Sequence, residues 1–366
     1  MPIIAEGKPL PHGMEPTIIC SLSNRDETLT KGICMLRQFF GAAVLATMMV
    51  ASPASAADIK PAVVYDLGGK NDQSFNQSAY FGAEKYMKDT GTEYSDFEIQ
   101  NDTQREQALR RFAKRGHNPI IAIGFSHAGA LAKVAPEFPD TKFAIVDEVV
   151  DLPNVRSIKF KEHEGSFLVG LLAAKAAKTG KVGFVGGMDI PLIRAFACGY
   201  KQGAKAANPD VEIFENMIGT TGAAWNDPVK GGELAKSQID RGADVIYHAA
   251  GGSGSGVLQA VTDAGKLGIG VDSNQNALHP GNMLTSMVKR VDTAVYSAFE
   301  DLASDNWTSG IYVLGLAENG VEWADDEYNK DLITADMRAA VDQASKEIID
   351  GKIVVHDYRA DNSCPF

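Results

Sequence analysis

The residues most suggestive of chemistry form a glycine-rich run followed by a carboxylate. The run GGSGSG at Gly251–Gly256 lies between a predicted strand and a predicted helix. Asp272 follows about twenty residues later, at the end of the next predicted strand. Glycines let backbone N–H groups approach a ligand, and such a carboxylate can accept hydrogen bonds from a diol. The pattern favours a ribose-like ligand, and the alternative of a plain turn before a helix N-cap stays open.

Motifs of several enzyme classes are absent from the sequence. The glycine run does not complete a G-x-G-x-x-G dinucleotide motif, because Val257 stands where the third glycine belongs. The chain contains no G-x-S-x-G nucleophile elbow and no G-x-x-x-x-G-K-[ST] phosphate loop. Its seven histidines do not fall at metal-ligand spacing, and its four cysteines form no C-x-x-C pair. We therefore expect no enzymatic activity, no catalytic residue, no cofactor and no metal.

Composition and charge narrow the class of protein further. The 366 residues are 45% hydrophobic and 22% charged, which excludes a disordered, collagen-like or disulfide-scaffold chain. With 35 Lys and Arg against 47 Asp and Glu, the formal net charge is −12. Binding to nucleic acid requires a basic face to neutralise phosphates. We expect a soluble α/β protein that does not bind nucleic acid.

The N-terminus, residues 1–56, has the pattern of a secretory signal peptide. Arg37 precedes the apolar run Phe39–Ala51, and the sequence Ala54-Ser55-Ala56 follows it. A membrane-spanning helix needs roughly 20 apolar residues, and this run is shorter. The pattern therefore predicts export to the periplasm.

Three cysteines and a methionine refine this interpretation. We expect Met35 to be the physiological start and residues 1–34 to be upstream translation. A lipid-anchored protein would carry a cysteine just after the apolar run, but Cys34 lies before it. We therefore expect an exported protein without a lipid anchor. Cys198 and Cys364 would remain in the mature chain, in a compartment that permits disulfides. The sequence does not show the distance between their Cα atoms, so their pairing stays open.

Apolar runs that predict strands alternate with helical patterns in two series. The first series of predicted strands is Ala62–Tyr65, Tyr94–Ile99, Ile120–Ile123, Phe143–Val146 and Val155–Phe160. The second is Lys181–Val185, Val211–Ile218, Asp244–Ala249, Leu267–Val271 and Leu284–Val288, with Ile311–Leu316 after it. Predicted helices include Ala79–Lys88, Gln104–Lys114, Gly165–Lys178, Thr293–Leu302 and Ala335–Ile349. Continuous apolar strands separated by helices are typical of parallel sheets covered on both faces.

These two series predict two doubly wound parallel-sheet domains joined by a hinge. We place the N-terminal domain at 57–160 plus about 289–320, and the C-terminal domain at 161–288 plus about 321–366. The helix Gly165–Lys178 is expected to bury one stripe, with Gly180 at its C-cap. Ligands of such sheets bind beyond the carboxyl ends of the strands. We therefore expect a site in the cleft between the domains.

One motif carries a resemblance to a known family. The segment Tyr65–Gln77, YDLGGKNDQSFNQ, resembles the D-x-G-G-x-x-D-x-S-F-N-Q signature of the basic-membrane-protein family. Further segments resemble this family in the same order: Phe143–Asp147, Val185–Met188, Asn226–Gly231, Ala250–Gly256 and Gly270–Ser273. The resemblance implies a type I periplasmic-binding-protein fold and a purine-nucleoside receptor of an ABC importer.

The resemblance also implies roles for four aromatic residues. Phe75, Phe125, Phe196 and Trp225 would stack on a purine, since they lie past strand ends or near helix starts. The alternative for each of these aromatic residues is packing in the hydrophobic core, and the case for core packing is strongest for Phe196.

Polar residues would then hold the rest of the ligand. Asn76 and Asp147 would face the edge of the base, with a helix cap as the alternative for Asp147, and Asp66 could serve similarly. Asp272 and Lys289 would hold the ribose hydroxyls as acceptor and donor. Gly251 and Gly252 would let the backbone approach the ligand.

The expected function is that of a periplasmic receptor for a purine nucleoside or a free purine base. Its partners would be the permease and ATPase subunits of an ABC importer, and the receptor itself would be a monomer. A pentose receptor of the same fold and an exported nucleosidase are the alternatives.

Overall fold

The computed structural model describes residues 59–366 of the chain. The predicted signal peptide and start residue lie outside the described residues. Within residues 59–366, the helices are too short or too polar to cross a membrane.

Strands and helices alternate through the described residues. The strands are β1 Ala62–Tyr65, β2 Ser95–Glu98, β3 Ile120–Ala122, β4 Phe143–Val146, β5 Val155–Phe160, β6 Lys181–Met188, β7 Glu212–Gly219, β8 Val245–Ala249, β9 Leu267–Asp272, β10 Met283–Lys289, β11 Gly310–Leu314 and β12 Val321–Trp323. The helices are α1 Phe75–Thr90, α2 Gln104–Lys114, α3 Ala128–Val134, α4 Glu162–Ala176, α5 Pro191–Ala207, α6 Pro228–Asp240, α7 Gly254–Asp263, α8 Val291–Ala303 and α9 Ala335–Ile349.

The strands form two six-stranded sheets. The first has the order β11-β5-β4-β3-β1-β2 and the second has the order β12-β10-β9-β8-β6-β7. All neighbours pair in parallel except β10 and β12. The central strands are buried on both faces, as their continuous apolar runs require. The predicted α/β architecture of two parallel-sheet domains is confirmed.

The chain passes between the two sheets three times. It crosses after β5, after β10 and between β11 and β12. We propose that these crossovers form the hinge and that the domain boundaries lie near residues 160, 289 and 320.

Helix α4 differs from its prediction. It begins at Glu162 rather than Gly165 and ends at Ala176. It is buried around nearly its whole surface rather than along one stripe, because α5, α9 and four strands of the second sheet pack against it. Gly180 adopts a φ of +70° beyond the helix end and is not its C-cap.

Helices α4 and α5 touch through their backbones. A Cβ built on Gly170 would lie 2.1 Å from the carbonyl oxygen of Tyr200, and one on Gly203 would lie 1.8 Å from that of Phe167. Only glycine permits this approach. The close packing fixes α5, which carries Phe196 toward the region between the sheets.

The cysteine pairing that the sequence left open is resolved. Cys198 on α5 forms a disulfide with Cys364, and their Cα atoms are 5.7 Å apart. The bond ties the end of the chain to the second domain.

Gly203→Ala should lower the free energy of unfolding by roughly 1–3 kcal/mol, because the added methyl group would collide with a backbone carbonyl. Gly129→Ala is the matched control, since Gly129 also lies in a helix but has open space around it. It should raise stability by up to about 1 kcal/mol through helix propensity. Urea unfolding measures both, and equal effects would contradict the close packing of α4 on α5.

Candidate functional site

A cleft between the two sheets gathers the residues that the sequence singled out. Its lining includes every one of the predicted site residues: Asp66, Phe75, Asn76, Phe125, Asp147, Phe196, Trp225, Gly251, Gly252, Asp272 and Lys289. It also includes residues to which the sequence analysis assigned no role: Leu67, Asp72, Gly124, Leu192, Ile193, Ala249 and Val271. The placement is a finding, whereas binding by these residues stays a prediction.

Strand ends position the charged residues. Asp66 follows β1, Asp147 follows β4, Asp272 ends β9 and Lys289 ends β10. The carboxyl ends of parallel strands meet at one edge of a sheet, so both sheets direct charged groups into the cleft. Asp147 and Asp272 have φ angles of 74° and 63°, in the left-handed region that few non-glycine residues adopt. No helix lies between β4 and β5, so the helix-cap alternative for Asp147 is wrong.

A buried lysine forms the floor of the cleft. Lys289 Nζ lies 2.6 Å and 2.7 Å from the two carboxylate oxygens of Asp147 and 3.0 Å from Oε1 of Glu162. Lys289 is 1% exposed. In the described part of the chain no ion pair joins Lys289 to Asp272, although we expected these two residues to act together. The nearer carboxylates of Asp147 and Glu162 hold the ammonium instead.

Charge and burial compete at this cluster. Burial lowers the pKa of Lys289, but Asp147, Glu162 and Asp272 outweigh burial and raise the pKa above its usual range. Burial raises the pKa of Asp147. Burial also raises the pKa of Glu162, but the nearby positive charges of Lys289 and Arg359 outweigh burial. The pKa of Glu162 is therefore lowered. Lys289 and Glu162 are therefore charged at neutral pH.

Asp272 joins the two domains through a hydrogen bond. Ser74 Oγ, just before α1, donates to Asp272 Oδ2 at 2.6 Å. Ser273 Oγ and Gln275 Nε2 donate to the backbone carbonyls of Ser74 and Gln73 at 2.9 Å and 2.8 Å. Burial raises the pKa of Asp272 to about 7, against the opposing effects of Lys289 and Ser74. This carboxyl group therefore titrates near neutral pH.

Aromatic rings surround the ammonium and line the walls. Lys289 Nζ lies 5.2 Å, 5.1 Å and 5.6 Å from the ring centroids of Phe75, Phe160 and Phe196. Phe125 and Trp225 meet edge to face from opposite domains, with ring centroids 6.4 Å apart. Phe196 lines the cleft and also belongs to the hydrophobic core, and its stacking on a purine stays a prediction.

Asn76 and Asp66 are already engaged within the first domain. The Asn76 side chain accepts a hydrogen bond from the Asp66 backbone N–H at 3.0 Å and donates to Asp72 Oδ2 at 3.1 Å. The Asp66 carboxylate accepts from Arg105 and from Ser126. These contacts shape the loop after β1, and direct contact of either residue with a ligand stays a prediction.

Asp72 lies within the motif Tyr65–Gln77, but the sequence analysis predicted no role for it. Its carboxylate accepts from the backbone N–H groups of Ser74, Asn76 and Gln77 at 2.9–3.0 Å and so fixes the start of α1. The sequence D-x-S before a helix carried this signal. Glu162 had no comparable signal, because its contact with Lys289 spans distant parts of the chain.

The comparisons with known proteins agree with this geometry. Residues 59–357 match the family model described as ABC transporter substrate-binding protein PnrA-like. The chain belongs to the basic-membrane-protein family. It is 33% identical to the ABC transporter nucleoside-binding protein BmpA of Lactococcus lactis, over 81% of this chain and 89% of that protein. It is 32% identical to basic membrane protein A of Borreliella afzelii, over 81% and 91% of the two chains.

Solved structures show the same architecture for this family member. An ABC transporter solute-binding protein from Aeropyrum pernix K1 superposes with a TM-score of 0.75 at 29% identity, over 81% of this chain and 94% of that chain. The family and the type I periplasmic-binding fold that the sequence predicted are both confirmed. The chain is an ABC transporter substrate-binding protein.

Asp272→Asn should stabilise the protein more at alkaline than at acidic pH. The folded pKa of Asp272, about 7, exceeds the unfolded value of 3.8. The protonated Asp272 carboxyl group therefore contributes to stability below about pH 4, and this contribution is lost as the pH rises through 7. Between about pH 5 and pH 8, the gain from Asp272→Asn should grow by on the order of 2 kcal/mol.

Urea unfolding at the two pH values measures this gain. Asp342→Asn serves as the control, because Asp342 is exposed on α9 and its replacement should have the same small effect at both. A gain from Asp272→Asn that does not vary with pH would contradict the burial of a titrating carboxyl group.

Proposed function

We propose that this family member is the periplasmic receptor of an ABC importer and binds a purine nucleoside or a free purine base in the cleft between its domains. The receptor acts as a monomer and delivers the ligand to permease and ATPase subunits in the inner membrane. It catalyses no reaction on the ligand. The observation that carries this proposal is a cleft that combines aromatic rings with buried hydrogen-bonding charges from both domains.

The aromatic lining supports a flat ligand. Phe75 and Phe125 come from the first domain, and Phe196 and Trp225 come from the second. Stacking between a base and an aromatic ring contributes about 1–3 kcal/mol per base. Rings from both domains can therefore hold a purine only when the domains are close together.

The polar lining supports specific hydrogen bonds to such a ligand. Asp147 and Asp272 supply acceptors, and Lys289 supplies a donor. A purine edge and ribose hydroxyls offer complementary groups. A relative at 33% identity is named a nucleoside-binding protein, which also favours a nucleoside over an unrelated solute.

Native mass spectrometry of protein purified without added ligand, followed by calorimetric titration, tests the ligand class. We expect retained purine, and saturable binding of guanosine, adenosine or adenine. Binding of ribose alone would favour the pentose receptor instead. Release of free base from a nucleoside would favour the nucleosidase.

Asp272→Ala should separate recognition of ribose from recognition of the base. If Asp272 accepts hydrogen bonds from ribose hydroxyls, the variant should weaken adenosine binding at least about tenfold and change adenine binding little. Titration of both ligands into wild type, Asp272→Ala and the exposed control Asp342→Ala measures this. Equal weakening for both ligands would indicate that Asp272 only holds the domains together through Ser74.

A further inference from the structure

The C-terminal segment, residues 355–364, reaches from α5 to the hinge. It is fixed to α5 at two positions one helical turn apart, Cys198 and Gln202. Cys198 carries the disulfide to Cys364. The Gln202 amide donates to the His356 carbonyl at 2.9 Å and accepts from the His356 N–H at 2.8 Å. The segment therefore moves with the second domain.

Arg359 on this segment is held rigidly at the first crossover. Its Nε and Nη2 atoms each lie 2.9 Å from an oxygen of the Asp357 carboxylate. Nη2 also donates to the backbone carbonyl of Phe160 at 3.1 Å, and Nη1 lies 2.9 Å from Oε2 of Glu162. A planar guanidinium held by this many partners has a fixed position.

Glu162 connects Arg359 to the cleft. It is fully buried, and its two carboxylate oxygens contact different cations. Oε2 contacts Arg359, whereas Oε1 lies 3.0 Å from the Lys289 ammonium. Lys289 in turn lies 2.6 Å from Asp147. The chain of charges therefore runs from the C-terminal segment to the floor of the cleft.

We propose that Arg359 is a positioning residue of the binding site, which neutralises one side of Glu162 so that the Lys289 ammonium stays on Asp147. Arg359 itself does not line the cleft. Without it, the buried Glu162 carboxylate would keep a single cation and would draw Lys289 away from Asp147. The disulfide matters to the site because it anchors the segment that carries Arg359. The effect on ligand binding rests on the proposed function.

The direct test compares Arg359→Met, Arg359→Lys and the control Arg338→Met by titration with adenosine. Arg338 pairs with Asp325 on the second domain, and this ion pair involves neither Glu162 nor Lys289. We expect at least about tenfold weaker binding for Arg359→Met, partial recovery for Arg359→Lys, and wild-type affinity for Arg338→Met. Wild-type affinity for a folded Arg359→Met would overturn the proposal.

A second variant covers the case in which Arg359→Met does not fold. Cys198→Ser/Cys364→Ser leaves every charge of the cluster in place and removes one of the two attachments of the segment to α5, while the hydrogen bonds of Gln202 remain. We expect several-fold weaker adenosine binding by this variant, and unchanged affinity would contradict the role of the disulfide in holding Arg359 at Glu162.

A measurement without ligand separates this inference from the proposed function. The buried Lys289 ammonium should give a solvent-protected ¹⁵Nζ NMR signal, assigned by its loss in Lys289→Met. In the ligand-free protein, Arg359→Met or the cysteine variant should shift or broaden this signal, whereas Arg338→Met should not. An unchanged signal would overturn the inference even if wild type binds adenosine. A shifted signal would support it even if no purine binds.

Discussion

The arrangement of the two domains depends on one buried ammonium group. Moving a lysine charge out of water costs several kcal/mol, and only close counter-charges offset that cost. Asp147 supplies one from the first sheet, and Glu162 supplies another from the first crossover. Lys289 itself lies at the second crossover, so a single cluster links a domain to two hinge segments. Phenylalanine rings around the ammonium exclude water and strengthen these interactions.

Parallel strands explain why the site could be located from the sequence. The run Phe143–Val146 is continuously apolar because both faces of the sheet are covered. Its observed bounds, and those of Val155–Phe160, equal the predicted ones. A polar residue directly after such a run lies at the carboxyl edge of the sheet. This rule predicts the position of Asp272, whereas the roles of Asp66 and Asp147 came from the family resemblance. Both of these residues also directly follow a strand, and all three line the cleft. The motif resemblance supplied the aromatic residues, which the rule alone would not have found.

The partners of these residues could not be predicted in the same way. Lys289 was expected beside Asp272, yet the ammonium contacts Asp147 and Glu162. Which carboxylate it reaches depends on how the two domains approach each other, and no local pattern encodes that approach. Arg359 is a stronger case, because it arrives at Glu162 from almost 200 residues further along the chain. The stripe predicted for α4 was wrong for a related reason, since elements from distant parts of the chain cover its other faces.

Stability and binding place opposite demands on different parts of this molecule. The cleft holds groups that cost free energy, such as the buried Asp272 carboxyl group and two aspartates in the left-handed region. The second domain compensates with close helix packing at Gly170 and Gly203 and with a disulfide that fixes the chain end. A ligand that donates hydrogen bonds to Asp272 and Asp147 would satisfy the groups that are costly to bury. In the proposed complex, part of the binding free energy therefore comes from relieving a cost that the folded protein already carries.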